Sequence, residues 1–183
     1  MINGYNSNLY KSSLFRRFGG LIQNFNDGNV QDMDIIDRKV ADQLQKNAYI
    51  TNREIGIEID LPTSTVNDRI RNLIKNGIIT QIMKVNPIKA KLVILAYISV
   101  LIDWSESKEN FGLAVRNIPE VIECHSVTGD WSYLLKVRAR DNAHLEDIIS
   151  NQIKAFPGVT RSETIFVLDT VKETTELPLE ILD

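Results

Sequence analysis

Three observations predict an α+β chain in two parts. Between residues 34 and 76, apolar residues recur at helical spacing in three short runs separated by turn signals. Between residues 92 and 171, β-branched runs alternate with two helical stretches. Within that second part an apolar-Pro-x-Val junction occurs twice, as Ile118-Pro119-Glu120-Val121 and as Phe156-Pro157-Gly158-Val159, which marks an internal repeat. The expected architecture is a winged-helix-like helix-turn-helix domain followed by a ferredoxin-like βαββαβ sandwich. The expected boundaries are an N-terminal extension at 1–32, the helical domain at 33–85, a linker at 86–90, the sheet domain at 91–176 and a tail at 177–183.

Residues 1–32 are rich in Asn, Ser and Gly and read as a mobile tail, with at most a short amphipathic turn at Leu14, Phe15, Phe18, Leu21 and Ile22. Met33 stands directly before the first strong helix signal, so one expectation is that translation starts there. The first helix spans Asp34 to Lys46, with Ile36, Val40 and Leu44 on one stripe. Asp34 and Asp37 lie in its first turn, where negative charge suits the helix dipole. Thr51-Asn52-Arg53-Glu54 has the form of a capping box and opens a second helix carrying Ile55, Ile57 and Ile59. Asp60-Leu61-Pro62 interrupts it. A third helix starts at about Thr63 or Ser64, with the cap expected on one of these two residues, and runs to Asn76-Gly77. Val66, Ile70, Leu73 and Ile74 form its core-facing stripe. Ile78 to Val85 reads as a strand or small wing.

The repeat then predicts strands at Leu92–Ile102, Val121–Val127, Tyr133–Arg140 and Thr160–Val171. Helices are expected at Ser105–Asn117 and Asn142–Ala155. Helices on one face of a four-stranded antiparallel sheet leave the other face bare; it is expected to be apolar and to be covered by a partner.

Composition excludes several classes. At 43% hydrophobic and 25% charged, the 183 residues read as an ordinary soluble globular protein. No apolar run approaches the length that crosses a bilayer, and no secretory signal is evident. One cysteine permits no internal disulfide, which fits a cytoplasmic protein. The net charge of −3 is unevenly spread: residues 1–33 carry +1, residues 34–85 carry +1 and residues 86–183 carry −5. The helical part is only balanced, so the case for nucleic acid rests on pattern.

That pattern lies on the third helix. The second helix of a helix-turn-helix enters the DNA major groove, with its first residues near base edges. Thr63, Ser64 and Thr65 supply short donors and acceptors there, over amides that favour an anion. Asn67, Asp68, Arg69, Arg71, Asn72 and Lys75 complete the candidate DNA surface. Arg69 and Arg71 are expected on phosphates or on guanine, and Asp68 on cytosine or orienting an arginine. Any solvated helix shows a polar strip opposite its apolar stripe. The order of capping box, short helix, turn and third helix, within about 30 residues, selects the DNA reading.

Several stretches resemble the leucine-responsive regulator/AsnC family of transcription factors. They are Ile36-Asp37-Arg38-Lys39-Val40, Thr51-Asn52-Arg53-Glu54-Ile55, Asp68-Arg69-Ile70-Arg71-Asn72-Leu73, Asn76-Gly77-Ile78-Ile79, the run from Glu123 to Lys136, and Phe156-Pro157-Gly158-Val159. The resemblance covers Met33 to about Glu176. It implies a sequence-specific regulator that binds double-stranded DNA at an imperfect palindrome. It further implies sheet-to-sheet dimers assembling into tetramers or octamers, with Ile79–Val85 stitching subunits together. An amino acid or related metabolite would bind near the Gly129 turn, so Val127, Thr128, Gly129, Asp130, Trp131 and Ser132 are the candidate effector residues. The sequence departs from the family at Asp60, where the family has Gly, and at Pro62, where it has Ser. It departs again at Ser132, where the family's turn carries a carboxylate, which argues against sensing an ordinary amino acid in the usual way.

Nothing else in the sequence suggests chemistry. Cys124 and His125 are neighbours on a strand and so point to opposite faces. The two histidines have no metal-ligand spacing, and no phosphate loop or nucleophile motif occurs. No catalytic residue, metal or cofactor is expected. Two other readings stay open: an architectural DNA-coating protein with little sequence preference, and a regulatory subunit of a metabolic enzyme.

Overall fold

The computed structural model describes residues 33–105 and 111–179. The readings for residues 1–32, including a start at Met33, lie outside the described residues, as does part of the helix expected from Ser105. The described chain divides into two units, one of residues 33–81 with 176–179 and one of residues 82–175. Residues 82–90 thus belong with the sheet.

The first unit is three helices: α1 (Ile35–Lys46), α2 (Asn52–Glu58) and α3 (Thr63–Lys75). Each boundary has a local cause. At α1 the Asp37 amide donates to Asp34 Oδ1 at 2.8 Å and the Asp34 amide to Asp37 Oδ2 at 3.4 Å, a capping box made of two aspartates. At α2 the expected box forms: the Glu54 amide donates to Thr51 Oγ1 at 3.2 Å and the Thr51 amide to Glu54 Oε2 at 2.8 Å. The α2 helix stops where Asp60 turns left-handed, at φ 55°, and the Leu61 amide reaches back to the Gly56 carbonyl at 2.8 Å. The α3 helix stops at Gly77, at φ 69°; the Ile78 amide bonds to the Leu73 carbonyl at 2.9 Å and the Gly77 amide to the Ile74 carbonyl at 3.0 Å. Its start differs from expectation. The cap is Pro62, and no side chain caps the first turn, neither Thr63 nor Ser64.

Val40, Ile55, Val66 and Leu73 form the buried centre of this unit, with Ile36, Leu44, Ile59, Leu61 and Ile70 packed around them. One expected core residue, Ile74, is not in it. Ile74 is 55% exposed and Ile57 is 71% exposed. One residue turns a helix by about 100°, so Ile74 sits off the stripe set by Val66, Ile70 and Leu73. Ile57, two places on from Ile55, points away on a helix of only seven residues. Leu177 also belongs to this unit. Its amide donates to Gln45 Oε1 at 2.8 Å, and its carbonyl accepts from Gln45 Nε2 at 3.2 Å, so this part of the tail is held in place.

The expected strand or wing at Ile78–Val85 does not form, and Ile82, Met83 and Val85 are exposed. β-Prone residues become a strand only against another strand's edge. No strand among the described residues pairs with this segment.

The second unit contains β1 (Ile94–Ile102), α4 (Phe111–Val115), β2 (Val121–Ser126), β3 (Tyr133–Ala139), α5 (Asn142–Asp147) and β4 (Val159–Phe166). The α5 helix continues as a π-helical turn at Ile148–Ile153. The sheet is antiparallel in the order β2-β3-β1-β4, the order of the split βαβ fold. Ala96, Ile98, Val100 and Ile102 of β1 and Leu135, Val137 and Ala139 of β3 face the helices. They meet Phe111, Val115, Leu145, Ile148, Ile149 and Ile153. The β4 strand ends at Phe166, short of the expected Val171, after the Val167 amide bonds to the Leu95 carbonyl at 3.0 Å.

The open face of the sheet is apolar only in part. Leu95, Tyr97 and Leu101 of β1, Leu134 of β3 and Ile165 of β4 share it with Lys136 and Arg138 of β3, Arg161 and Glu163 of β4, and Glu123 of β2. A run of ion pairs crosses it. Lys136, only 8% exposed, places Nζ 2.8 Å from Glu173 Oε1 and 3.0 Å from Glu123 Oε1, while Lys84 Nζ lies 2.9 Å from Glu173 Oε2. Hydrogen bonds from the Lys136 and then the Lys84 ammonium pull the Glu173 carboxyl down to about 2. The same carboxylate, ahead of that of Glu123, raises the affinity of Lys136 for its proton.

Candidate nucleic-acid interface and effector turn

The α3 helix presents a polar surface that its own domain does not cover. Thr63, Ser64, Asn67, Asp68, Arg71, Asn72 and Lys75 are exposed, and Thr65 is half-buried. Val66, at its back, is fully buried and its amide donates to the Pro62 carbonyl at 3.1 Å, so the helix is fixed from its first turn. With no side-chain cap, the amides ahead of Val66 point out of the N-terminus, next to the short hydroxyls of Thr63, Ser64 and Thr65. A phosphate oxygen is the natural acceptor for such a group.

The two arginines part company. Arg71 is exposed, with its guanidinium 3.5 Å from Asp68 Oδ1 on the adjacent turn, so Asp68 orients it outward. Arg69 was expected on DNA and is instead turned back onto α1. Its Nη1 lies 2.5 Å from Asp34 Oδ2 and 3.2 Å from Asp37 Oδ1. Position explains this: Arg69 is one turn on from buried Val66 and flanks the apolar stripe. The Asp37 amide, with the Arg69 guanidinium, holds the Asp34 carboxyl below the ordinary aspartate range. Asn67 is also partly engaged, its Oδ1 accepting from Asn52 Nδ2 at 3.2 Å.

Gly56 of α2 is a residue whose role the sequence reading missed. A Cβ there would sit 2.6 Å from the Leu61 carbonyl oxygen. The turn between the two helices therefore closes against a bare backbone. A glycine inside a predicted amphipathic helix was the available signal.

In the second unit the six candidate effector residues form the turn between β2 and β3. The Val127 amide donates to the Ser132 carbonyl at 3.2 Å, and Gly129 adopts φ 100°. Ser132 fastens the turn to β1: its amide donates to the Val100 carbonyl at 2.9 Å, and its Oγ accepts from the Ile102 amide at 3.1 Å. The hydroxyl thus locks the turn to β1. Thr128, Gly129 and Asp130 are exposed, and Trp131 is half-buried beneath the guanidinium of Arg161, 4.8 Å from its ring centre. Nearby, Cys124 packs against the core, where burial raises its thiol pKa, while exposed His125 lies 3.4 Å from Glu123. The two face apart and cannot act as a nucleophile and base. Among the described residues no cluster of metal-ligating side chains occurs, and no helix is long and apolar enough to cross a membrane.

Comparison with known proteins places both units. Residues 33–80 fit a family described as winged helix-turn-helix DNA-binding, and residues 95–177 one described as the Lrp/AsnC ligand binding domain. The leucine-responsive regulatory protein of Escherichia coli (strain K12) is 30% identical over 153 residues, spanning 82% of this chain and 93% of its own. A transcriptional regulator from Neisseria meningitidis, solved in complex with L-Met, superposes with a TM-score of 0.75 at 31% identity, over 81% of this chain and 97% of its own. An AsnC family transcriptional regulator from Agrobacterium tumefaciens gives 0.74 at 28% identity, over 80% and 97%. With its helix-turn-helix head and its ligand-binding sheet domain, the chain belongs to the Lrp/AsnC family and is a DNA-binding transcriptional regulator.

Proposed function

We propose that this regulator is sequence-specific, that it reads an imperfect palindrome as a homodimer or a larger ring of dimers, and that an amino acid or related metabolite at the 127–132 turn tunes it. The observation that carries the DNA reading is the outer side of α3. It is a polar, exposed surface on a rigidly backed helix whose first-turn amides have no cap. Thr63, Ser64 and Thr65, with Asn67, meet base edges, while Arg71, Asn72 and Lys75 meet the phosphates. Arg69 holds the helix in place from behind. The effector reading draws on the ligand-binding description of residues 95–177 and on the relative solved with L-Met. Its output is binding, not catalysis.

The test is selection of bound sequences from a random duplex pool, with affinities measured across a salt series. A recovered motif with two-fold symmetry, and substitutions at Ser64 or Thr65 that change preference more than affinity, are the expected results. Weak base discrimination with a steep salt dependence would instead make it an architectural protein. Co-purification with a stoichiometric enzyme, without DNA binding, would make it a regulatory subunit.

A further inference from the structure

The contact between α2 and α3 bears on what α3 can read. Asn52 is the first residue of α2, and the Thr51–Glu54 box pins the backbone on both sides of it. Asn67 lies in the second turn of α3, next to Val66, which is fully buried and holds the backbone there. Asn67 follows Thr63 and Ser64 by one turn and precedes Arg71 by one turn, so these side chains share a face of the helix. From their two fixed positions the carboxamides meet, Asn52 Nδ2 donating to Asn67 Oδ1 at 3.2 Å.

A free asparagine offers an acceptor and a donor side by side. That combination fits adenine, whose major-groove edge carries the N7 acceptor and the N6 amine. Asn67 is not free in this sense. Its Oδ1 is turned to α2 and occupied, while its Nδ2 donates to nothing among the described residues. What remains for a ligand is a pair of N–H donors. The base edge with two adjacent acceptors is that of guanine, N7 and O6.

We propose that Asn52 is a positioning residue for base selection: by holding Asn67 Oδ1 it makes Asn67 a donor that selects guanine and passes over adenine. Asn52 acts through Asn67 and not on a base. The proposal rests on the sequence-specific reading of α3 above, and adds the polarity of one contact and the residue that sets it. Two substitutions change that polarity. Loss of the Asn52 carboxamide frees both ends of Asn67 and favours adenine. A carboxylate at position 52 accepts but does not donate, so it turns Asn67 round, with Nδ2 inward and Oδ1 outward, toward the N4 amine of cytosine.

Selection of bound sequences from a random duplex pool tests this, with the full chain as wild type, Asn67→Ala, Asn52→Ala, Asn52→Asp and the double alanine variant. The base pair that Asn67 reads is the one at which Asn67→Ala flattens the preference. At that pair wild type is expected to favour guanine over adenine by at least about fivefold. Asn52→Ala should move the preference to adenine and Asn52→Asp to cytosine, with the rest of the motif kept. Once Asn67 is alanine, adding Asn52→Ala should change nothing further at that pair. Preference is read relative to each variant's own best site, so a change in stability alone does not move it. Uniform weakening by Asn52→Ala with the same base preference makes Asn52 a structural contact only and overturns the proposal. A wild-type preference for adenine at the pair marked by Asn67→Ala overturns it as well, as does a motif in which Asn67→Ala flattens no pair; both leave the sequence-specific reading standing. Failure of wild type to select any motif removes that reading, and this proposal with it.

Discussion

At Gly56 a single hydrogen atom decides how close two helices come. The Leu61 carbonyl occupies the place a Cβ would need, and both sides of the clash are backbone. Gly56→Ala is therefore expected to destabilise the head by about 1–3 kcal/mol, although alanine favours helix elsewhere. Urea denaturation of the full chain would measure it, and an unchanged midpoint would show that the turn relaxes freely. Asp60, four residues on, adopts the left-handed geometry that glycine would take more cheaply, so the departure from the family pattern leaves the turn intact. The arginines separate in the same way, residue from residue. Arg71→Ala should weaken binding to all duplexes alike and lower the salt slope by about one, as loss of a phosphate contact does. Arg69→Ala should leave that slope unchanged and lower stability by about 1 kcal/mol or less, since its partners Asp34 and Asp37 remain solvated in part. A flattened slope for Arg69→Ala would mean that it leaves α1 when DNA binds.

Among the elements, those closed by local chemistry were legible in the sequence. The Thr51–Glu54 box, the stop at Gly77 and the junction at Phe156-Pro157 involve neighbours within a few residues, and each appears where the pattern put it. What depends on distant partners was not legible. Nothing in Ile78–Val85 says that no strand among the described residues will pair with it. Nothing in the spacing of Lys136 says that Glu173, 37 residues on, will cover it. Arg69 looked like a surface cation because the acids that hold it lie a helix away. The ion pairs across the sheet make a pH prediction. Glu173 has a folded value of about 2 against an ordinary 4.5, so its stabilisation is complete above about 4.5 and is lost as pH falls through about 2. Wild type should exceed Glu173→Gln in urea midpoint at pH 6, and the two should converge as pH drops from 4.5 toward 2. A difference that stays constant over that range would mean that the charge of Glu173 is not what stabilises the face.

At the scale of the whole molecule, DNA imposes its own geometry. If two heads read one palindrome, their α3 helices engage half-sites about one duplex turn apart, roughly 34 Å. Inserting about five base pairs between the half-sites should then abolish cooperative binding, and inserting about ten should restore part of it, as read by gel shift. Insensitivity to the insert would point to independent heads. The architecture was legible from the sequence because a repeated junction and an alternating pattern leave few topologies open. The character of the sheet's open face was not, because alternation marks which residues leave the core and is silent about how their charges combine.

Gln45 engages both backbone groups of Leu177 with one carboxamide, as a neighbouring strand would. A reporter or purification handle fused downstream of Leu177 would therefore hang from the DNA-reading head. Its bulk and charge would pull on α1, the helix that Arg69 ties to α3. Affinities measured on such a fusion would describe a loaded lever, and a cleavable handle would give the truer value.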